Sequence, residues 1–71
     1  METADDRKVH LTRRELEVLG LIVKGKSRKD VADALYVSDR TVQFHLANIY
    51  DKLGVSNRVQ AFRRAHKLGL L

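Results

Sequence analysis

The chain has 71 residues, a formal net charge of +5 at pH 7 and a sequence pI of about 10.0. A chain of this length forms one domain and buries only about 60% of the surface that its unfolded form exposes, so marginal stability is expected. The sequence contains no cysteine, which excludes disulfides and thiolate metal sites, and no apolar run approaches the ~18 residues that cross a bilayer. We expect a soluble cytoplasmic domain whose basic balance favours a polyanionic partner.

The first predicted helix follows a polar N-terminal segment. Residues 1–10 show no helical periodicity and no apolar signal region, and we expect them to form a flexible arm or a linker remnant. A helix then begins after Thr12, because its hydroxyl can cap the free amides and Glu15 occupies the reciprocal position of a capping box. Apolar residues recur on nearly all sides of this helix, which is typical of a helix packed between neighbours. Gly25 is expected to end it in a left-handed conformation.

Two further helices follow closely. Ser27 and Asp30 repeat the capping pattern and open a short second helix, and residues 36–38 form a tight turn. The third helix is predicted for residues 38–53 and ends at Gly54. Its apolar residues recur at i, i+4, i+7 and i+11 and must be buried against other helices; they are Val42, Leu46, Ile49 and Leu53.

The opposite face of the third helix carries side chains that do not form a core. By the ~100° step per residue it lies roughly half a turn from the apolar residues, and it comprises Arg40, Phe44 and Ala47, with Thr41 and Gln43 beside them. A short helix, a tight turn and a helix of this kind have the spacing of a DNA-binding helix-turn-helix.

The fourth helix is predicted to begin at the cap residue Ser56 and to run to about Leu68. Its core side is formed by small residues and one leucine: Ala61, Ala65 and Leu68. A second apolar side lies roughly 130° away by the same angular step, and it comprises Val59, Phe62 and His66. We interpret this second side as a dimer surface. The alternative is that Phe62 closes the edge of the core.

Several fixed spacings together resemble one known family. They are Leu11-Thr12-x-Arg14-Glu15-x-Glu17-Val18-Leu19, Gly25-x-Ser27-x-Lys29-Asp30-Val31-Ala32, Val37-Ser38-x-x-Thr41-Val42-x-x-His45, Lys52-Leu53-Gly54-Val55 and Arg58-x-x-Ala61. They closely resemble the LuxR-type DNA-binding domain, also named for FixJ, NarL and GerE, over about residues 11–71. The resemblance implies an all-α, four-helix domain with a tri-helical core and a C-terminal dimerisation helix.

The resemblance also implies function and partners. It predicts a regulator that binds double-stranded promoter DNA as a homodimer at the bacterial nucleoid, as the output domain of a response regulator or ligand-sensing protein. RNA polymerase and an upstream regulatory domain are further candidate partners. An internal ion pair between Glu15 and Arg58 is implied as well.

Site residues follow from the same resemblance and from side-chain chemistry. The family pattern places Gln43, Phe44 and Ala47 at base-contacting positions, although many relatives carry a basic residue at the first of these positions and a polar or basic one at the last. Phosphate contacts are implied for Ser27, Lys29, Thr41 and Lys52, and residue chemistry adds Arg28, Arg40 and His45. The dimer interface is expected to comprise Val59, Phe62, Arg63 and His66.

The base-contacting residues favour a half-site that contains A·T pairs. Gln43 offers a donor and an acceptor, which suit adenine, while Phe44 and Ala47 suit thymine methyl groups. One alternative is that Gln43 only binds a phosphate or a water molecule. Another is that Arg28 and Lys29 are ordinary solvated charges.

No pattern in the sequence points to catalysis. His10 and His66 have no partners at metal-ligand spacing, and no paired acids, Ser/His/Asp grouping or glycine-rich phosphate loop occurs. We therefore predict no enzymatic activity, no metal and no cofactor. The alternative function is that of a helical adaptor, which would bind a protein instead of DNA. It would use the basic surface and the second apolar side of the fourth helix.

Overall fold

Capping residues mark the ends of the helices in the described part of the chain. The computed structural model describes residues 9–70, and within this range the helices are α1 (Arg13–Val23), α2 (Arg28–Leu35), α3 (Asp39–Leu53) and α4 (Arg58–Lys67), with no strand. The all-α prediction is therefore confirmed. None of the helices in residues 9–70 is long and apolar enough to cross a membrane.

The first two helices begin at the predicted capping boxes. Thr12 Oγ1 accepts a hydrogen bond from the Glu15 N–H at 3.1 Å, and Glu15 Oε1 accepts one from the Thr12 N–H at 2.9 Å. Ser27 and Asp30 make the same reciprocal pair at 3.1 and 3.4 Å. These bonds satisfy amides that have no partner inside the helix, so they set where α1 and α2 begin.

The predicted start of α4 was wrong by one residue. Asn57, not Ser56, is the cap, because Asn57 Oδ1 accepts a hydrogen bond from the Gln60 N–H at 2.9 Å. The Ser56 N–H instead donates to Gln60 Oε1 at 2.8 Å. The two polar residues therefore share the helix start, and Arg58 becomes the first residue of α4.

The turn between α2 and α3 contains a residue in the left-handed region. Tyr36 ends α2 with φ of 59°, although it is not a glycine, and its side chain is 94% exposed. The Val37 N–H donates to the Ala32 carbonyl at 3.0 Å, which closes the end of α2. The predicted stop of α3 at Gly54 is confirmed by its φ of 70°.

The core lies around α3, which contacts each of the other three helices. The predicted apolar residues Val42, Leu46, Ile49 and Leu53 are all buried on it. α1 contributes Val18, Leu19 and Ile22, and α2 contributes Val31 and Ala32. α4 supplies only Ala61 and Ala65 as fully buried residues, and these small side chains let its backbone approach closely.

Some apolar side chains of α1 and α4 remain outside this core. Leu16 is 38% exposed, so α1 is less completely covered than the sequence pattern predicts. On α4, Val59 is 61% and Phe62 is 47% exposed, and the Phe62 ring stacks on His66 with 6.1 Å between ring centroids. Phe62 therefore leaves about half of its surface exposed.

The flexible arm predicted for residues 1–10 lies outside the described residues except for Val9 and His10. Of these two, Val9 is partly buried and packs against the core. The C-terminal limit predicted for the domain, residue 71, also lies outside the described residues.

Because Ile49 is 0% exposed, removing its terminal methyl group leaves a small cavity. We expect Ile49→Val to lower the free energy of unfolding by about 0.5–1.5 kcal/mol. Urea denaturation followed by circular dichroism measures this change. The control is Val59→Ala on exposed surface, which should change stability by less than about 0.5 kcal/mol. Equal losses in both variants would contradict the burial assigned to Ile49.

Candidate nucleic-acid interface

The second and third helices form a short, closely linked unit. Ser38 caps α3, since its Oγ accepts a hydrogen bond from the Thr41 N–H at 3.0 Å and donates to Thr41 Oγ1 at 3.0 Å. Arg28 at the start of α2 lies opposite Asp39 at the start of α3, with 3.7 Å between Nε and Oδ1. These contacts hold the first turns of the two helices next to each other.

The three predicted base-contacting residues lie on the outward face of α3. Phe44 is 64% exposed, and Gln43 and Ala47 are also exposed. The Gln43 side chain bonds within its own helix, where Nε2 donates to Asp39 Oδ2 at 3.3 Å. No part of residues 9–70 covers this face, so all three side chains are free to contact a partner.

One side of this outward face borders α2. Gln43, Ala47 and Tyr50 recur at i, i+4 and i+7 and thus share that side of α3, which we call the α2 flank. An open groove runs along it, and its border is formed by Ser27, Arg28, Gln43, Leu46, Ala47, Tyr50 and Arg58. The groove brings together predicted base and phosphate contacts from two helices.

Tyr50 and Arg58 were not among the predicted site residues. Helical periodicity from Gln43 could have identified Tyr50, which stands seven positions later. Arg58 could not be found in this way, because its place on the groove depends on how α4 packs against α3.

The other side of the outward face carries a second group of predicted phosphate contacts. Thr41, His45 and Lys52 recur at i, i+4 and i+11 and share one side of α3, which we call the α1 flank. His45 is half-buried, and its ring makes an edge contact with Phe44 at 5.8 Å between centroids. The predicted phosphate contacts are therefore divided between the two flanks of α3.

The buried carboxylate of α1 pairs with Lys52. Lys52 Nζ donates to Glu15 Oε1 at 2.7 Å, and the Glu15 side chain is only 5% exposed. The implied ion pair between Glu15 and Arg58 was wrong, because Arg58 lies on the groove of the α2 flank instead. Lys52 remains 36% exposed and has further N–H groups, so its phosphate contact stays a prediction.

The environment of Glu15 stabilises its charged form. Burial by itself raises the pKa of a carboxyl group, but here hydrogen bonds from Lys52 and from the Thr12 amide act against it. The charges of Lys52 and His45 act in the same direction as these bonds, and together they lower the pKa of Glu15 below its ordinary value. The Glu15–Lys52 pair therefore links α1 to the end of α3.

The remaining predicted phosphate contacts are exposed cations. Lys29 is 84% exposed and lies 4.0 Å from Asp33, and Arg28 is 51% exposed. Surface ion pairs of this kind contribute about 0–1 kcal/mol, so they leave Lys29 and Arg28 available to a phosphate. Arg40 is exposed in the first turn of α3.

The site offers hydrogen-bond donors, cations and small apolar groups along one helix. In the part of the chain that the structure describes, no group of three or more His, Cys, Asp or Glu side chains could hold a metal ion. The arrangement is suited to an anionic polymer with two charged backbones and, between them, groups that accept hydrogen bonds or make apolar contacts.

Comparison with known proteins decides the family. The family model described as GerE, bacterial regulatory proteins of the luxR family, matches residues 9–65. The chain belongs to the LuxR family.

Relatives of this LuxR-family domain are transcription regulators. The transcriptional regulatory protein LiaR of Bacillus subtilis (strain 168) is 47% identical over 57 residues, which are 80% of this chain and 27% of LiaR. The structure of the transcription factor GerE matches with a TM-score of 0.80 and 44% identity over 86% of this chain and 91% of GerE.

The response regulator ChrA of a heme-sensing two-component system matches with a TM-score of 0.84 and 40% identity. The match covers 87% of this chain but 31% of ChrA. The chain thus spans about a quarter to a third of LiaR and ChrA. The structural matches to GerE and ChrA confirm the four-helix helix-turn-helix fold.

The lowered pKa of Glu15 predicts a pH dependence of stability. Its charge stabilises the fold above the ordinary value of 4.5, and this contribution is lost as the pH falls through the lowered value. We expect Glu15→Gln to lower the free energy of unfolding at pH 7 by about 1–2 kcal/mol, since Lys52 loses a charged partner but is partly solvated.

Urea denaturation at pH 7 and pH 3 measures this effect, and the difference between wild type and Glu15→Gln should shrink at pH 3. The matched control is Glu17→Gln, because Glu17 is 47% exposed and pairs with Arg14 on the surface at 3.2 Å. If wild type and Glu15→Gln differ by the same free energy of unfolding at both pH values, the Glu15 charge does not stabilise the fold.

Proposed function

We propose that this LuxR-family domain binds promoter DNA sequence-specifically as a dimer, with α3 in the major groove of each half-site. One observation carries the proposal: α3 buries four apolar residues on one face and leaves Gln43, Phe44 and Ala47 exposed on the other. A helix with its side chains is about 10–12 Å across and enters a major groove about 12 Å wide.

The exposed side chains suit the edges of A·T pairs. An amide presents a donor and an acceptor together, so Gln43 can bond adenine N7 and N6, while Phe44 and Ala47 can contact thymine methyl groups. The bond from Gln43 to Asp39 at 3.3 Å holds the amide at the helix surface. These features support an A/T-containing half-site.

The two flanks of α3 suit the two strands that border the major groove. Ser27, Arg28 and Lys29 lie at the start of α2, where cations and unbonded amides both favour an anion. Thr41, His45 and Lys52 form the α1 flank on the opposite side. Arg40 lies near the centre of the outward face, in the first turn of α3. Phosphate contacts on both flanks would hold α3 in one register.

The surface of α4 supports a weak dimer that DNA strengthens. Val59 and Phe62 are exposed side by side, with Arg63 and His66 beside them. Residues 55–71 contain four Arg and Lys and no acidic residue, so two copies repel each other electrostatically. A polyanion that binds both copies offsets this repulsion.

The same role implies further partners. A promoter-bound regulator lies at the nucleoid in the cytoplasm and can contact RNA polymerase. The match to the response regulator ChrA, of which it covers 31%, supports an upstream regulatory domain as the source of the signal. Both partnerships are parts of the proposal.

We expect Gln43→Ala to lose about 1–3 kcal/mol of discrimination at one base pair of the half-site. Selection of bound duplexes from a random pool, followed by fluorescence anisotropy at two salt concentrations, measures the preference. The control is Lys29→Ala, which should weaken all sequences alike and reduce the salt slope by about one. An unchanged base preference in Gln43→Ala would refute the base assignment. Weak binding of the wild type that is equal for all sequences and is lost at the higher salt concentration would favour the helical adaptor that binds a protein.

We expect Phe62→Asp to reduce cooperative occupancy of paired half-sites more than binding to a single half-site, because it places a charge in the proposed apolar contact. Anisotropy titrations with duplexes that carry one or two half-sites measure the difference. Gln60→Glu is the control, since it adds the same charge to α4 about 200° away around the helix. Equal losses on both duplexes would remove the α4 dimer.

A further inference from the structure

Asp39 contacts two residues of the proposed interface at once. It is the first residue of α3, and its side chain is 51% exposed. Oδ2 accepts a hydrogen bond from Gln43 Nε2 at 3.3 Å, while Oδ1 lies 3.7 Å from Arg28 Nε. One carboxylate therefore joins a predicted base contact on α3 to a predicted phosphate contact on α2.

We propose that Asp39 is a specificity-determining positioning residue, which orients the Gln43 amide toward adenine and competes with DNA phosphates for the Arg28 guanidinium. The inference rests on the proposed DNA-binding function and deepens it. Asp39 itself contacts no base and acts through its two neighbours, Gln43 and Arg28.

The first step concerns the orientation of the Gln43 amide. A carboxylate only accepts hydrogen bonds, so it attracts the NH₂ end of an amide and repels the oxygen end. With one N–H bonded to Asp39, Gln43 presents its second N–H and its oxygen outward. This donor and acceptor pair matches adenine N7 and N6, whereas guanine offers two acceptors at N7 and O6. Asp39 thereby favours adenine over guanine.

The second step concerns charge. A carboxylate on a surface that faces phosphates lowers the affinity for every DNA sequence. Asp39 also competes with phosphate for the Arg28 guanidinium, since the two groups lie within ion-pair distance. Both effects lower the affinity for cognate and non-cognate DNA alike, so the overall affinity falls while the preference for adenine comes from the first step.

Two substitutions of Asp39 separate the two steps. Asp39→Ala removes both contacts, whereas Asp39→Asn keeps one carbonyl oxygen for the Gln43 amide and gives up the ion pair with Arg28. The matched control is Asp51→Asn, which removes one negative charge from the other end of α3, away from Gln43 and Arg28. Circular dichroism verifies that each variant is folded.

The experiment is an anisotropy titration with three duplexes: the selected half-site, the same site with its adenine replaced by guanine, and a scrambled sequence. For Asp39→Ala we expect the adenine-over-guanine ratio of affinities to fall about threefold to tenfold. Affinity for the scrambled duplex should rise about twofold to fivefold at low salt. For Asp39→Asn, the affinity for the scrambled duplex should rise by the same factor as in Asp39→Ala. Its adenine-over-guanine ratio should stay within about twofold of the wild-type ratio.

The Gln43→Ala variant distinguishes failure of this inference from failure of the proposed function. If Gln43→Ala changes base preference and Asp39→Ala does not, the role of Asp39 is refuted and the base contact stands. If Gln43→Ala changes nothing, the base assignment falls and the role of Asp39 falls with it. If the affinity of Asp51→Asn for the scrambled duplex rises by the same factor, the effect comes from net charge alone, and the competition between Asp39 and phosphate for Arg28 is refuted.

Discussion

Burial of one face of α3 is the constraint on which the rest of the structure depends. Val42, Ile49 and Leu53 are 0–2% exposed, and α3 contacts all three other helices. Burying an aliphatic side chain of this size contributes about 1.5–3 kcal/mol, which is a large share of the stability of a small domain. Because a helix has two faces, the burial of one face turns the other outward. The exposed position of Phe44 is thus a consequence of core packing.

Two carboxylates act differently on the two flanks of α3 because their environments differ. Glu15 is buried and closely paired with Lys52 at 2.7 Å, so its charge contributes to holding α1 against α3. Asp39 is half exposed and lies at longer distances from Arg28 and Gln43. A buried, hydrogen-bonded pair resists rearrangement, whereas an exposed pair can exchange its partners for a ligand. The α2 flank is therefore the more adaptable side of the proposed interface.

Membership of the LuxR family of bacterial regulatory proteins accounts for the fold. A shared fold does not carry a shared specificity, so the side chains that would choose a DNA sequence depend on this chain's own residues. They border the groove beside α2, where Gln43 and Ala47 lie next to Arg28 and Arg58. The amide, the methyl group and the two guanidinium groups together define the chemistry of that surface.

The sequence by itself determined the local features of this protein. The capping boxes at Thr12 and Ser27, the end of α3 at Gly54 and the buried side of α3 all follow from residues a few positions apart. The exposure of the predicted base contacts followed from the same helical period. Helix periodicity and capping act over this range, so the pattern of residue types was sufficient.

Only the tertiary structure decided which distant groups meet. Glu15 pairs with Lys52, which is 37 positions away, and Arg58 borders the groove instead. The family resemblance implied Arg58 as the partner of Glu15, but the actual pairing depends on how α1 and α4 pack against α3. The exposure of Phe62 was decided in the same way, because the small side chains of Ala61 and Ala65 bring the other side of α4 to the core. Helix packing sets these distances, and no local pattern encodes them.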